Sequence, residues 1–234
     1  MTLTDKQKVA EFLDICADYV GSGFLSERIE YQFDDLQGGE AHGSSKDRDS
    51  LEKIAQEINA CKGCALHEKR LNAVPGEGVL NPHVLVIGEG PGEEEDKQGR
   101  PFVGKAGQFL DKMLSSIGLS RNTNCFIANV VKCRPPGNRD PHPEETLACA
   151  HFLERQISIL KPRFILAAGK VSSHVLLKTS EPIGKLRGRF FNLNAANETY
   201  PLLCTYHPSA LLRDESYKRP AWEDLKLLKS RLDN

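Results

Sequence analysis

A chain of 234 residues with 31 Lys/Arg, 32 Asp/Glu and a net charge of -1 is long enough for one α/β core plus an appendage. No stretch approaches the roughly 20 apolar residues that span a bilayer, and the N-terminus lacks the basic-then-apolar pattern of a secretory signal, so a soluble, cytoplasmic protein is expected, with no membrane partner. The near-neutral total hides an asymmetry: residues 1–50 hold 5 Lys/Arg against 11 Asp/Glu and the rest 26 against 21, an acidic appendage on a mildly basic body compatible with a nucleic-acid partner.

Residues 5–20 (DKQKVAEFLDICADYV) place Val9, Phe12, Leu13 and Cys16 at helical spacing, predicting one amphipathic helix. QGGEAHGSSKDRDS behind it is a linker by composition. The expected organisation is an acidic N-terminal helix and linker over 1–50, whose partner the sequence does not name, and one domain over 51–234. In that domain short apolar runs alternate with helical patterns. HVLVIG (83–88), NCFIANVV (124–131), RFILAAG (163–169) and PLLCTYHP (201–208) read as buried strands. Helices are predicted at 106–117, 143–160, 170–178 and 222–232. In 143–160 the expected buried stripe is Leu147, Ala150, Leu153, Ile157 and Leu160. Strands separated by helices imply an α/β fold, a mostly parallel sheet covered on both faces. In such sheets ligands bind beyond the carboxyl ends of the strands. There GEGPG follows the first strand, Asn129 lies near the end of the second, and His207-Pro208-Ser209 ends the fourth.

The segment GEGPGEEEDKQGRPFVG (88–104) first reads as a dinucleotide fingerprint, in which glycines let backbone N–H groups meet pyrophosphate. Gly88 and Gly90 fit, but position 93 is Glu, Pro91 removes a donor, and Glu93, Glu94, Glu95 and Asp96 repel phosphate. An acidic turn at the mouth of a sheet suits a water or a neutral polar ligand instead. Phe102, between Gly99 and Gly104, presents an aromatic face beside it.

Seven cysteines in such a chain point to thiols or metal ligands rather than disulfides. Cys61 and Cys64 form a C-x-x-C turn, Cys133 follows the second strand, and Cys149 lies in the first turns of the helix begun by Pro143. Four thiolates at this spacing serve a tetrahedral zinc or a [4Fe-4S] cluster, and spacing does not choose. Cys16, Cys125 and Cys204 read as small buried hydrophobes. Between Cys133 and Cys149 the prolines and glycine of KCRPPGNRDPHPEE forbid regular structure. Lys132, Arg134 and Arg139 on this loop are candidates for phosphate contact, with solvated surface charge as the default.

GEGPGEEED, GRPFVGKAG, NVVKCRPPGNR and HPSALLR, with the four cysteines in order, resemble the iron-sulfur uracil-DNA glycosylases of family 4, over about residues 51–232. The resemblance implies a three-layer α/β/α sandwich with a central four-stranded parallel sheet and a structural [4Fe-4S] cluster on Cys61, Cys64, Cys133 and Cys149. It implies hydrolysis of the bond between uracil and deoxyribose; the expected partner is uracil-containing DNA, single- or double-stranded, and a monomer is expected, though the sequence chooses neither strand preference nor oligomeric state. Phe102 would stack on a flipped uracil, Asn129 would read O4 and N3–H, and Glu95 would sit against C5. His207 would meet O2 as charge leaves on the base. Ser209 and Arg213 would touch phosphate while Leu211 fills the vacated space, with core packing as the competing reading for Leu211 and Leu212. Gly90 stands where a better-known uracil glycosylase family carries a catalytic aspartate, which makes Glu89 the candidate for orienting the water. Two other readings compete: a non-catalytic DNA-binding module of the type associated with phage DNA polymerases, and a relative that traps uracil-DNA covalently.

Overall fold

The computed structural model describes residues 49–233. The helix expected at 5–20 and the linker behind it, apart from Asp49 and Ser50, lie outside the described residues, as does Cys16. Ser50 caps the first described helix, α1 (Leu51–Ala60), its hydroxyl accepting the Lys53 N–H at 3.1 Å. Every strand predicted from an apolar run is present: β2 (Val84–Gly88), β3 (Cys125–Asn129), β4 (Phe164–Ala168) and β6 (Glu198–Thr205). They pair in parallel in the order β3–β2–β4–β6. The sheet is larger than the expected four strands, however. A two-residue β1 (Glu77–Gly78) adds antiparallel to β3, and β5 (Phe190–Ala195) adds antiparallel to β6, giving six. The β5–β6 hairpin turns at Ala196 and Asn197, both with positive φ, as a two-residue turn matched to strand twist requires.

Alternation along the central strands sorts side chains into two cores. Leu85, Ile87 and Ile165 face Ile54 and Ile58 of α1 and Phe152, Leu153, Ile157 and Leu160 of α4 (Pro143–Leu160). Val84, Val86 and Ile127 face Leu110 and Leu114 of α3 (Lys105–Ser115) and Leu225 and Leu228 of α8 (Lys218–Leu232). Helices on both faces complete the three-layer α/β/α arrangement. The buried face of α4 departs from the expected stripe: Leu147 is 78 % exposed, and Cys149, Phe152 and Gln156 are buried in its place. Shorter helices complete the body: α2 (Glu93–Gln98), α5 (Lys170–Leu177), α6 (Ile183–Leu186) and α7 (Pro208–Arg213). Among the described residues no helix is long and apolar enough to cross a membrane.

Candidate active site

Parallel pairing brings the strand ends level. Gly88 lies opposite Asn129 and Ala168 opposite Thr205, so the segments leaving β2, β3, β4 and β6 open onto one edge of the sheet. A cleft of about 560 Å³ lies there. Glu89, Gly90, Glu95, Phe102, Asn129, His207, Ser209 and Arg213, eight of the nine non-cysteine site residues read from the sequence, line it together. Gly88 is needed for close approach: a Cβ there would come within 2.5 Å of both the Phe102 ring and Asn129 Oδ1. At Gly169 a Cβ would meet that of His207 at 2.8 Å.

Phe102 carries φ +52°, a left-handed conformation that is strained for a residue with a Cβ and persists only when its surroundings enforce it. Two side chains do so. Arg121 donates to the carbonyls of Pro101 at 2.8 Å and Phe102 at 2.9 Å, itself held by Asp111 at 2.9 Å. Glu95 accepts the N–H groups of Val103 at 2.8 Å and Gly104 at 2.9 Å through Oε1, and that of Gly92 at 3.2 Å through Oε2. The carbonyls before the bend and the amides after it are thereby fixed. The ring ends 5.7 Å from that of His207, tilted by 34°.

Asn129 is 1 % exposed, and its Oδ1 is the one buried side-chain polar atom without a hydrogen-bond partner among the described residues. Buried polar atoms are almost always satisfied, so an orphan aimed into a cleft is a receptor for a donor that arrives with a ligand. His207 is the N-cap of α7. Its Nδ1 accepts the Ser209 N–H at 3.2 Å and lies 2.8 Å from the Ser209 hydroxyl, which leaves the ring proton on Nε2. Burial, with the Arg213 charge, lowers this imidazole to about 4 against a weaker opposing effect of Glu95, so it is a neutral donor at pH 7. Under the strand end, the fully buried Asp224 accepts from Thr205 Oγ1 at 2.8 Å and pairs with Arg187, anchoring the chain just before His207.

Among the described residues the Glu89 carboxylate accepts no hydrogen bond, while its main-chain carbonyl takes the Val131 N–H at 3.1 Å. Burial, reinforced by the Asp140 carboxylate and opposed by Lys170, pushes it up to about 7. Asp140 and Lys170 pair at 2.8 Å on the cleft wall. These two, with Asn138 and Tyr206, are lining residues that sequence reading missed. Their only signal was that they adjoin strand ends or the loop between the paired cysteines.

Several expectations are corrected. The acidic stretch is a helix, α2, and most of its acids point away from the cleft: Glu93 and Glu94 pair with Lys97, and Asp96 is buried, accepting the Leu71 and Asn72 amides. Acids in a first helical turn suit the positive end of its dipole. Lys132 is buried rather than on the surface. Arg139 forms a two-bond pair with Glu145, and Arg134 is held by Asn138 at 2.7 Å, so neither is a free cation. Arg213 is exposed on the cleft, without a hydrogen-bond or ion-pair partner among the described residues. Leu211, expected to enter DNA, is 2 % exposed in the core beneath α7, whereas the neighbouring Leu212 is 47 % exposed. Cys125 and Cys204 are buried in strands, as read.

The four paired cysteines line a second cavity, under α1 and α4, with Arg70 and Lys132. Its donors suit thiolates: Arg70 Nη1 lies 3.0 Å from Cys133 Sγ, and the Gly63 N–H lies 3.3 Å from Cys61 Sγ. Four sulfurs, two nearby cations and an apolar wall of Ile58 and Phe152 fit an anionic metal–thiolate group. Among the described residues no three His, Cys, Asp or Glu side chains converge as ligands of a single ion.

Comparison with known proteins finds uracil-DNA glycosylases over this body, and also a DNA polymerase of Bacillus phage SP01, 26 % identical over 167 residues, 70 % of this chain but 18 % of the relative. The family model described as the uracil DNA glycosylase superfamily matches residues 75–226. A type-4 uracil-DNA glycosylase of Saccharolobus solfataricus is 43 % identical over 191 residues, 80 % of this chain and 88 % of the relative. Those of Pyrobaculum aerophilum and Thermotoga maritima are 44 % and 43 % identical over 76 % and 77 % of the chain, and 92 % and 93 % of their own lengths. With strand ends, cleft and paired cysteines already in register, these matches establish that the chain belongs to the type-4 group of the uracil DNA glycosylase superfamily.

Proposed function

We propose that the protein flips uracil out of DNA into this cleft and hydrolyses its bond to deoxyribose, releasing free uracil and leaving an abasic site. The observation that carries the reading is the orphaned Oδ1 of buried Asn129, set beside an aromatic ring and a neutral imidazole. Uracil presents a donor at N3 and an acceptor at O4, and a carboxamide offers the complement of both. Phe102 supplies the stacking face. As the glycosidic bond lengthens, the sugar becomes oxocarbenium-like and negative charge moves onto the base; the His207 Nε2–H meets it at O2. Glu89 orients and deprotonates the attacking water on the sugar side, beside the open backbone of Gly90. Glu95 acts through the backbone it clamps, holding the Phe102 bend against the cleft. Arg213 and Ser209 face the DNA backbone, with Arg213 as the unpaired cation available to phosphate.

In this reading residues 51–234 are the glycosylase domain and residues 1–50 an appendage. Cys61, Cys64, Cys133 and Cys149 hold a [4Fe-4S] cluster, with zinc as the alternative. The cluster's contribution when bound is structural, cross-linking the turn after α1, the segment after β3 and the first turns of α4. The partner is uracil-containing DNA. Incubation with a single-stranded oligonucleotide containing one deoxyuridine is expected to yield free uracil and an alkali-labile strand. Simple retention of the oligonucleotide, or a heat-stable adduct, would reject the reading. The purified protein is expected to be brown, with iron and sulfide in equal amounts; a colourless protein with stoichiometric zinc removes the cluster.

The exposure of Leu212 supports it, rather than Leu211, as the space-filling side chain. Leu211→Ala is expected to destabilise the fold by about 2–5 kcal/mol, as truncation in a packed core does, read as a lowered Tm. Leu212→Ala is expected to leave Tm unchanged and lower kcat/KM on duplex uracil about tenfold, with little change on single strands that need no unstacking. Equal losses on both substrates would withdraw Leu212 from the DNA.

A further inference from the structure

Lys132 stands between the two cavities. Its side chain is 1 % exposed, and among the described residues no carboxylate pairs with its ammonium. Nζ donates to the main-chain carbonyl of Asn129 at 2.9 Å and to Gln156 Oε1 at 2.7 Å. Gln156 is in turn fixed by donating to the Pro75 carbonyl at 2.8 Å. On the other side, Lys132 lines the cavity ringed by the four cysteines and directly precedes Cys133 in the chain. A buried ammonium met only by neutral dipoles recovers little of its lost hydration, and such cations are ordinarily paired. Among the described residues lining that cavity, the groups able to carry negative charge are the four thiols, which become thiolates when they bind metal. A lysine that adjoins one ligand in the chain, lines their cavity and holds the base-reading asparagine with its ammonium connects the two sites through a single residue.

We propose that Lys132 is a positioning residue tying the Asn129 main chain to the four-cysteine centre, so that uracil recognition depends on the group those thiolates hold. The inference rests on the uracil-excision reading and adds a dependence of that pocket on its neighbour. Lys132 lines the four-cysteine cavity, and through its hydrogen bond to the Asn129 carbonyl it fixes the end of β3 from which the Asn129 carboxamide projects. A lysine that merely fills space would affect neither metal retention nor base affinity beyond the general stability of the fold.

The experiment uses the full chain with its metal and the variant Lys132→Met, which keeps the side-chain length and removes the charge and donors. One readout is the rate at which a chelator strips the metal. The other is affinity for a single-stranded oligonucleotide carrying 2′-fluoro-deoxyuridine, which resists hydrolysis because fluorine disfavours the cationic sugar. Metal loss is expected to quicken about tenfold and affinity to fall about tenfold, the scale of losing a partner behind a ligand. In an Asn129→Ala background the same change is expected to quicken metal loss to the same extent yet take nothing further from affinity, since the two act as one unit. Gln156→Met, which keeps the charge and removes one acceptor, is expected to move both readouts the same way by a smaller factor, and it decides the matter should Lys132→Met fail to fold. Metal loss at the wild-type rate, or affinity losses that add in the double variant, overturns the proposal. Failure of the wild-type protein to release uracil from an ordinary deoxyuridine oligonucleotide is a separate result, and it would remove the underlying reading instead.

Discussion

Glu89→Gln is expected to lower kcat about 10²–10⁴-fold, the range of a positioned general base, while affinity for uracil-DNA stays near that of the wild type. The pH dependence gives the sharper signature. Burial, then the neighbouring Asp140 charge, raises the Glu89 carboxyl to about 7, with Lys170 pulling the other way. The group accepts a proton only when ionised, so wild-type kcat/KM should fall as pH drops through about 7, and Glu89→Gln should lack that limb. Stability runs oppositely. A carboxyl whose folded value is raised stabilises the fold fully below its unfolded value near 4.5, and that contribution is lost as pH rises through about 7. At pH 8 the Gln variant should therefore melt no lower than the wild type. Weakened DNA binding with unchanged turnover, or an acid limb that survives the substitution, would take the water from Glu89.

His207→Ala is expected to lower kcat about 10²–10³-fold, the loss typical of one donor aimed at developing negative charge. Because burial, and after it Arg213, lowers the imidazole to about 4, the donor is neutral imidazole, and no limb near 6.5 should belong to it. The sign is again fixed by the direction of the shift. A histidine lowered in the folded state contributes stability above its unfolded value near 6.5, and that contribution is lost as pH falls through about 4. The variant should thus keep the acid limb assigned to Glu89 at a lower plateau. A plateau equal to that of the wild type would show that the base leaves without help from position 207.

The central sheet was legible because its strands are short apolar runs bounded by turn residues, and the cleft followed from where those runs end. Asn129 and His207 adjoin such ends, so topology brings them to one edge, and Phe102 is returned to it by the bend that follows α2. What stayed hidden depended on helical phase over short spans. Six residues between Gly92 and Gly99 are too few to show a period, so α2 read as a loop. The same brevity concealed which leucine of α7 faces inward. On α4 the buried face includes Cys149 and Gln156, and a reading that followed leucines settled on an exposed Leu147. β5 was missed because an antiparallel edge strand with alternating asparagines, turned by Ala196-Asn197, lacks both a continuous apolar run and the usual glycine. The burial of Lys132 left no mark in the sequence, since a buried and a solvated lysine have the same neighbours in a loop rich in proline.

The bend at Phe102 bears on the entropy of binding. With its carbonyl tied by Arg121 and the following amides tied by Glu95, the ring loses its freedom when the chain folds and not when a base arrives. An extrahelical uracil then meets a rigid wall, and most of its stacking energy is available to oppose the return of the nucleotide to the duplex.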